Sequence, residues 1–182
     1  MKKLKRCFMK IWKILKHPGN TFEEVYRESL GESLLYYLII VSILTIIMLA
    51  LGSVFISMFI SGFFEEFPML QWVSLPILFV FIPLFGFLTL LISSLFVHIF
   101  VLIFGGRQGL KQTIKALAYS STPAVLSAWL PPILALSIVW SLILLWIGIR
   151  KLQKMNRIMT IFSILLPPII IFAIGLLLKF LR

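Results

Sequence analysis

The sequence predicts an all-α membrane protein: a bundle of five transmembrane helices preceded by an amphipathic helix at the bilayer surface. Of the 182 residues, 61% are hydrophobic and 13% are charged, whereas an average soluble domain is about 45–50% apolar and about 25% charged. Several apolar runs exceed the roughly 18 residues that indicate a spanning helix. The net charge of +11 is typical of a membrane protein that meets anionic lipid head groups, and nucleic-acid binding is not expected.

The first 17 residues are predicted to form the amphipathic helix. Apolar residues recur at i, i+3, i+4 and i+7 spacing and therefore share one face: Leu4, Cys7, Phe8, Ile11, Trp12 and Leu15. Seven basic residues are predicted to contact the head groups of an anionic leaflet: Lys2, Lys3, Lys5, Arg6, Lys10, Lys13 and Lys16. A solvated basic tail is the alternative. Thr21 and Glu24 have capping-box spacing, which predicts a second short helix from Phe22. Residues 1–32 thus form a basic cytoplasmic and interfacial region, and 33–182 form a single transmembrane domain.

Charge and length set the number of spans. The predicted spans are 33–61, 74–104, 114–130, 132–149 and 158–178. The run from Ala116 to Ile149 would measure ~51 Å as one helix, so the Pro131–Pro132 pair is predicted to divide it into two spans.

Basic flanks mark the cytoplasmic side of a membrane. They occur at the N-terminus, at Arg107–Lys115 and at Arg150–Arg157, while Glu65 and Glu66 form an acidic turn. An even number of crossings must separate the last two basic segments. This predicts a multi-pass protein of the cell membrane, with the N-terminus cytoplasmic and the C-terminus outside. A four-span version, with 114–130 re-entrant or interfacial, is the alternative.

The residues of catalytic chemistry are sparse. No Asp or Glu lies within a predicted span, and the two histidines are His17 and His98. Because acid–base pairs, metal-ligand sets and a phosphate loop are all missing from the sequence, we predict no enzyme, no catalytic residues, no cofactor and no metal site. His98 is interpreted as a neutral imidazole bonded across helices, with a relay or ligand role as the alternative.

The stretch "IKALAYSSTPAVLSAW" concentrates polar residues in an apolar chain. Small residues spaced by four predict a face for close helix packing: Ala116, Ser120, Ala124 and Ala128. Pro123 lacks an N–H, so the Tyr119 carbonyl loses its helical partner. The hydroxyls of Ser120, Ser121 and Thr122 are predicted to compensate for it. The alternative is a small transporter or channel component with a path near Tyr119–Pro123.

Three segments resemble a known family. "HPGNTF", "HIFVLIFGGRQGLKQTIKALAYSSTP" and "WSLILLWIGIRKLQKM" resemble, in the same order, signatures of the prokaryotic members of the Yip family of Ypt/Rab-interacting integral membrane proteins. The resemblance covers Pro18 to Pro168 and implies a five-span plan. It implies signature positions at Pro18, Phe22, His98, Gly105, Gly106, Tyr119, Pro123 and Gly148.

The resemblance implies a non-enzymatic protein that organises membrane or partner proteins, in membrane shaping, as a scaffold or in a trafficking-like role. Its expected partners are the lipid bilayer and other membrane proteins, in a homo- or hetero-oligomer. Eukaryotic relatives bind prenylated Rab GTPases. This sequence contains no Asp and so lacks their Asp-Leu-Tyr-Gly-Pro motif, and Rab binding is not carried over.

Overall fold

The chain is mainly helical in the part that the computed structural model describes, residues 2–59, 68–128 and 130–180. No strand occurs in these ranges, and the predicted all-α class is confirmed. The helices are α1 (Lys2–Lys16), α2 (Pro18–Arg27), α3 (Leu30–Phe59), α4 (Pro68–Ile103), α5 (Leu110–Ser120), α6 (Thr122–Ser127), α7 (Pro131–Gln153) and α8 (Arg157–Phe180). The acidic turn at Glu65 and Glu66 lies outside the described residues.

Among the described residues, four helices are long and apolar enough to cross a bilayer. Their apolar segments are Leu30–Leu51, Pro76–Ile103, Pro132–Gln153 and Arg157–Phe180. The predicted span 114–130 is instead built from α5 and α6, which meet at Ser121. Pro123 is in the first turn of α6, a position at which proline is well tolerated. The protein is therefore multi-pass, while the five-span count and its re-entrant alternative stay predictions.

The two basic loops lie at the same end of the bundle. The Gln153 side chain, at the end of α7, donates to the Gly109 carbonyl before α5 at 2.9 Å. Further along, the Ala124 N–H donates to the Ser141 hydroxyl at 3.2 Å. This order of contacts makes α7 antiparallel to α5 and α6. We call this end of the bundle, which carries Arg107–Lys111 and Arg150–Arg157, the basic end.

The helices α1 and α2 also pack at the basic end, and α2 begins earlier than predicted. It starts at Pro18, because proline suits the first helical turn. Thr21 lies inside the helix, and its hydroxyl donates to the His17 carbonyl at 2.9 Å. The reciprocal capping box belongs to α3: the Glu32 N–H donates to the Ser29 hydroxyl, and the Ser29 N–H donates to the Glu32 carboxylate.

The larger apolar core also lies at the basic end. It joins Cys7, Ile11 and Ile14 of α1 to Phe22 of α2 and to buried residues of α3, α5 and α7. Away from this core, α4, α7 and α8 expose many large apolar side chains. In a bilayer these side chains face lipid, so the tightly packed part of the protein is the basic end.

Candidate functional site

The helix α5 occupies the centre of the basic end. It packs against α3, α4 and α7. On the predicted small-residue face, Ala116 is fully buried and Ser120 nearly so, whereas Ala124 and Ala128 are half-buried. The small side chains let α5 approach its neighbours closely, and polar groups of α1, α2, α3, α4 and α7 meet around α5 and the start of α6.

Lys115 of α5 binds the C-terminus of α2. Its ammonium donates to the carbonyls of Val25 at 3.1 Å, Tyr26 at 3.3 Å and Glu28 at 2.5 Å. A position at the cytoplasmic surface would be expected for a lysine at the end of a span, yet this side chain is 3% exposed. The carbonyls at a helix C-terminus lack helical partners and carry partial negative charge, so they compensate for the buried ammonium.

Glu28 connects α1 to α5. One carboxylate oxygen pairs with the Lys10 ammonium at 2.6 Å. The other accepts the Tyr119 hydroxyl at 2.8 Å, and Lys10 also donates to the Tyr119 oxygen at 3.2 Å. The three groups form a closed ring of charge-assisted hydrogen bonds between α1, the residue after α2, and α5.

Tyr119 also contacts an aromatic ring and a hydroxyl group. Its ring stacks on Tyr36 of α3, with 4.2 Å between the ring centroids. The Thr122 hydroxyl donates to the Tyr119 carbonyl at 2.7 Å, which satisfies the acceptor that Pro123 leaves without an N–H. Because that hydroxyl has a single hydrogen, Tyr36 donates to Thr122 over 3.0 Å. We call Lys10, Glu28, Tyr36, Tyr119 and Thr122 the tyrosine cluster.

The hydroxyls of Ser120 and Ser121 bond to carbonyls of α5. The Ser120 hydroxyl donates to the Leu117 carbonyl at 3.2 Å, and the Ser121 hydroxyl donates to the Ala118 carbonyl at 3.1 Å. The Leu117 carbonyl also accepts the Ser121 N–H at 3.0 Å, so of the three hydroxyls predicted to compensate for Pro123, it is Thr122 that bonds to the Tyr119 carbonyl.

A second polar group, the glutamine cluster, consists of His98, Gln108, Thr113 and Gln153. His98 Nδ1 lies 2.8 Å from the Thr113 hydroxyl, which also accepts the Gln153 amide at 2.9 Å. The Gln153 oxygen accepts the Gln108 N–H at 2.9 Å. His98 thus bonds across helices, as predicted, and the cluster ties α4, α5 and α7 to the loop before α5.

Two glycines allow helices and loops to approach at the basic end. A Cβ at Gly148 would lie 2.7 Å from the Phe22 ring, and a Cβ at Gly106 would lie 2.3 Å from the Val101 side chain. Gly105 has φ +93°, a left-handed conformation that favours glycine. Any larger residue would displace the ring of Phe22 or the turn after α4.

A family model described as the Yip1 domain matches residues 12–178. The chain belongs to the Yip1 family. The predicted family resemblance is therefore confirmed, while a prokaryotic origin stays a prediction. No match to a curated protein and none to a solved structure was found.

Several positions that the resemblance implies as signatures make contacts at the basic end. Phe22 packs on Gly148, and Tyr119 and His98 belong to the tyrosine and glutamine clusters. Gly106 packs against Val101, and Pro18 begins α2. Phe22 joins α2 to α7 and Tyr119 joins α1 to α5, whereas His98 joins α4 to α5.

The basic residues of α1 divide into groups. Lys13 is exposed and pairs with Glu24 at 3.1 Å, and the Lys16 ammonium lies 4.4 Å from the centre of the Trp12 ring. Lys10 differs, because it points into the tyrosine cluster. The side chains of Lys2, Lys3, Lys5 and Arg6 lie outside the described part of the chain. Contact of these lysines with lipid stays a prediction.

Sequence reasoning missed several residues of the site: Glu28, Tyr36, Thr113 and Gln153. Glu28 carried the clearest signal, since it is one of six acidic residues in a chain with 17 basic ones. Glu23 forms a further ion pair with Lys151, and the Lys151 hydrogen bond lowers the pKa of the Glu23 carboxyl. The acidic residues of α2 and its end therefore serve to hold basic helices together.

Proposed function

We propose that this multi-pass Yip1-family protein is not an enzyme and that it organises the membrane, with α1 as a rigid wedge in one leaflet. The observation that supports this proposal is that the amphipathic helix α1 is held in a fixed position. Cys7, Ile11 and Ile14 of α1 are buried in the core, and Lys10 is paired with Glu28. A wedge attached in this way transmits its insertion to the membrane helices.

A separate face of α1 is suited to the bilayer. Phe8, Trp12 and Leu15 have i, i+4, i+7 spacing and so share one side of the helix. Phe8 and Trp12 are 55% and 62% exposed, while Leu15 lines an apolar groove against α7. Since α7 is a membrane helix, this face points towards the bilayer. Aromatic residues beside lysines are typical of interfacial helices.

The double variant Phe8→Ser, Trp12→Ser is expected to abolish membrane shaping while the protein stays folded. Exposed residues contribute little to the folded state, so the free energy of unfolding should change by about 0.5 kcal/mol or less. Native protein reconstituted into anionic vesicles should narrow or tubulate them, and the variant should leave them like protein-free vesicles. Vesicle diameters measured by cryo-electron microscopy test this.

Met9→Ser is the control, because Met9 is 54% exposed but lies outside the i, i+4, i+7 positions of Phe8, Trp12 and Leu15, about 100° round the helix from Phe8. It should keep the native vesicle diameters. If native protein leaves vesicle shape unchanged, or if Met9→Ser acts like the double variant, the wedge proposal is wrong.

Other roles depend on partners. A scaffold or trafficking-like role with membrane proteins, including further copies of this chain, is part of the same proposal and would be detected by affinity purification from native membranes. The alternative of a solute path near Tyr119–Pro123 stays a prediction, which flux measurements in reconstituted vesicles would test. Binding of Rab-type GTPases is not proposed.

We further propose that the basic end is cytoplasmic in the cell membrane, with the C-terminus outside, because basic loops are retained on the cytoplasmic side. Arg107→Cys and Lys154→Cys should both resist a membrane-impermeant maleimide in intact cells and react after permeabilisation. The native chain is the control: Cys7 is its single cysteine, and burial raises the pKa of that thiol. Labelling of either loop from outside would refute this orientation.

A further inference from the structure

An apolar groove of about 550 Å³ runs between α6 and α7 and is closed at one end by Leu15 of α1. It exists because α6 is only six residues long and ends before it can cover the neighbouring face of α7. Leu136, Trp140 and Ile143 form that face, at i, i+4 and i+7 spacing. Along the helix axis they extend over ~10 Å, a length suited to a stretch of hydrocarbon chain.

The described lining of the groove is mostly apolar. Besides the Trp140 N–H, the described lining carries two hydroxyls, and both have already donated their hydrogens within their own helices. The Ser127 hydroxyl donates to the Pro123 carbonyl at 2.9 Å, and the Ser137 hydroxyl donates to the Ile133 carbonyl at 3.0 Å. The remaining walls are mainly aliphatic and aromatic, and Trp140 and Ile143 are partly open to the bilayer.

The end of the groove at Leu15 carries positive charge. The next residue, Lys16, holds its ammonium over the Trp12 ring, on the side of α1 that Trp12 shares with Leu15. Within the described residues, Lys16 forms no ion pair, whereas Lys10 and Lys13 each pair with a glutamate. The apolar groove thus ends beside the Lys16 ammonium, at the basic end of the bundle.

We propose that this groove binds one acyl chain of an anionic phospholipid, with the phosphate of the head group beside Lys16. The apolar walls take the hydrocarbon chain, and the ammonium and the phosphate attract each other at the groove end. The bound lipid fills the space that the short α6 leaves open and joins α1 to α7. This proposal requires α1 at the membrane surface but not that it bends the membrane, so it can fail or succeed independently of the wedge.

Fluorescence quenching by brominated lipid tests the proposal, because Trp140 lines the groove. Native protein in detergent micelles is titrated with dibrominated phosphatidylglycerol or dibrominated phosphatidylcholine. The same titration of Trp140→Phe is subtracted, and the difference in quenching is assigned to Trp140. This component is expected to saturate at low lipid fraction. The anionic lipid should bind about fivefold more tightly. Lys16→Gln should remove that preference.

Ser137→Phe provides the structural test, since its ring enters the groove. Displacing about two lipid methylenes should weaken both lipids roughly tenfold. Ser137→Ala, which leaves the groove open, and Ile138→Phe, on an exposed neighbour outside the groove, should bind as the native protein does. Mass spectrometry of the detergent-solubilised protein should show one retained phospholipid, lost in Ser137→Phe.

Three results would overturn the proposal. Quenching that rises linearly with lipid fraction would mean ordinary contact with surrounding lipid. Equal binding by Ser137→Phe and Ser137→Ala would place the lipid elsewhere. A dimer in light scattering that Ser137→Phe converts to a monomer, without retained lipid, would assign the groove to a second copy of this chain.

Discussion

Replacing Phe22 with alanine is expected to lower the free energy of unfolding by about 3–5 kcal/mol, the usual cost of truncating a buried phenylalanine. Phe22 is fully buried, and its ring lies so close to α7 that a Cβ at Gly148 would be 2.7 Å away. Removal of the ring leaves a cavity against helix backbone, which cannot collapse to fill it. Equilibrium unfolding in mixed detergent micelles, followed by tryptophan fluorescence, measures the loss.

Phe172→Ala is the matched control, because Phe172 of α8 is 68% exposed. In micelles its truncation should change the unfolding free energy far less than that of Phe22. A complementary variant, Gly148→Ala, tests the same contact from the other side: the added methyl must push the Phe22 ring, so destabilisation of about 1–2 kcal/mol is expected. Equal effects of Phe22→Ala and Phe172→Ala would contradict the account of a packed basic end.

The membrane helices were predictable because their signal is local. Apolar runs interrupted by prolines and basic loops indicate the helices α3, α4, α7 and α8. Most of the predicted ends lie within a few residues of the helix ends in the structure. The Tyr119 carbonyl was also predictable, since the missing N–H of Pro123 requires a substitute, and Thr122 supplies it. The break between α5 and α6 was not, because whether a proline begins a new helix depends on how nearby hydroxyls and neighbouring helices satisfy the backbone.

The packing of α1 was only half predictable. Periodicity grouped Cys7, Ile11, Phe8 and Trp12 on one apolar face, but it cannot distinguish protein from lipid as the covering surface. The structure divides the face: Cys7 and Ile11 are buried in the core, whereas Phe8 and Trp12 are exposed. The roles of Lys10 and Lys115 depend on partners about 18 and 87 residues away in the sequence, and a single sequence contains no signal for such pairs.

Replacing Glu28 with glutamine is expected to release α1 from the bundle and to lower the free energy of unfolding by about 2–3 kcal/mol. The substitution keeps the shape of the side chain but removes the charge that Lys10 faces at 2.6 Å and weakens the acceptor of the Tyr119 hydroxyl. The Lys10 and Glu28 side chains are 18% and 17% exposed, so water compensates for only part of the loss. Hydrogen exchange should show faster exchange across α1, while α7 remains protected.

The ion pair of Lys13 and Glu24 supplies the comparison, because it joins the same two regions at the surface, with side chains 53% and 56% exposed. Glu24→Gln should lower the free energy of unfolding by about 0.5 kcal/mol or less, since exposed pairs are well solvated.

The double variant Lys10→Met, Glu28→Gln should recover part of the stability lost in Glu28→Gln, because no unpaired ammonium then remains in the cluster. Strictly additive effects of the two substitutions, or equal effects of Glu28→Gln and Glu24→Gln, would show that the tyrosine cluster does not hold α1. If α1 exchanges rapidly in Glu28→Gln and the variant also loses its effect on vesicles, the same contact that stabilises the basic end is required to fix the wedge.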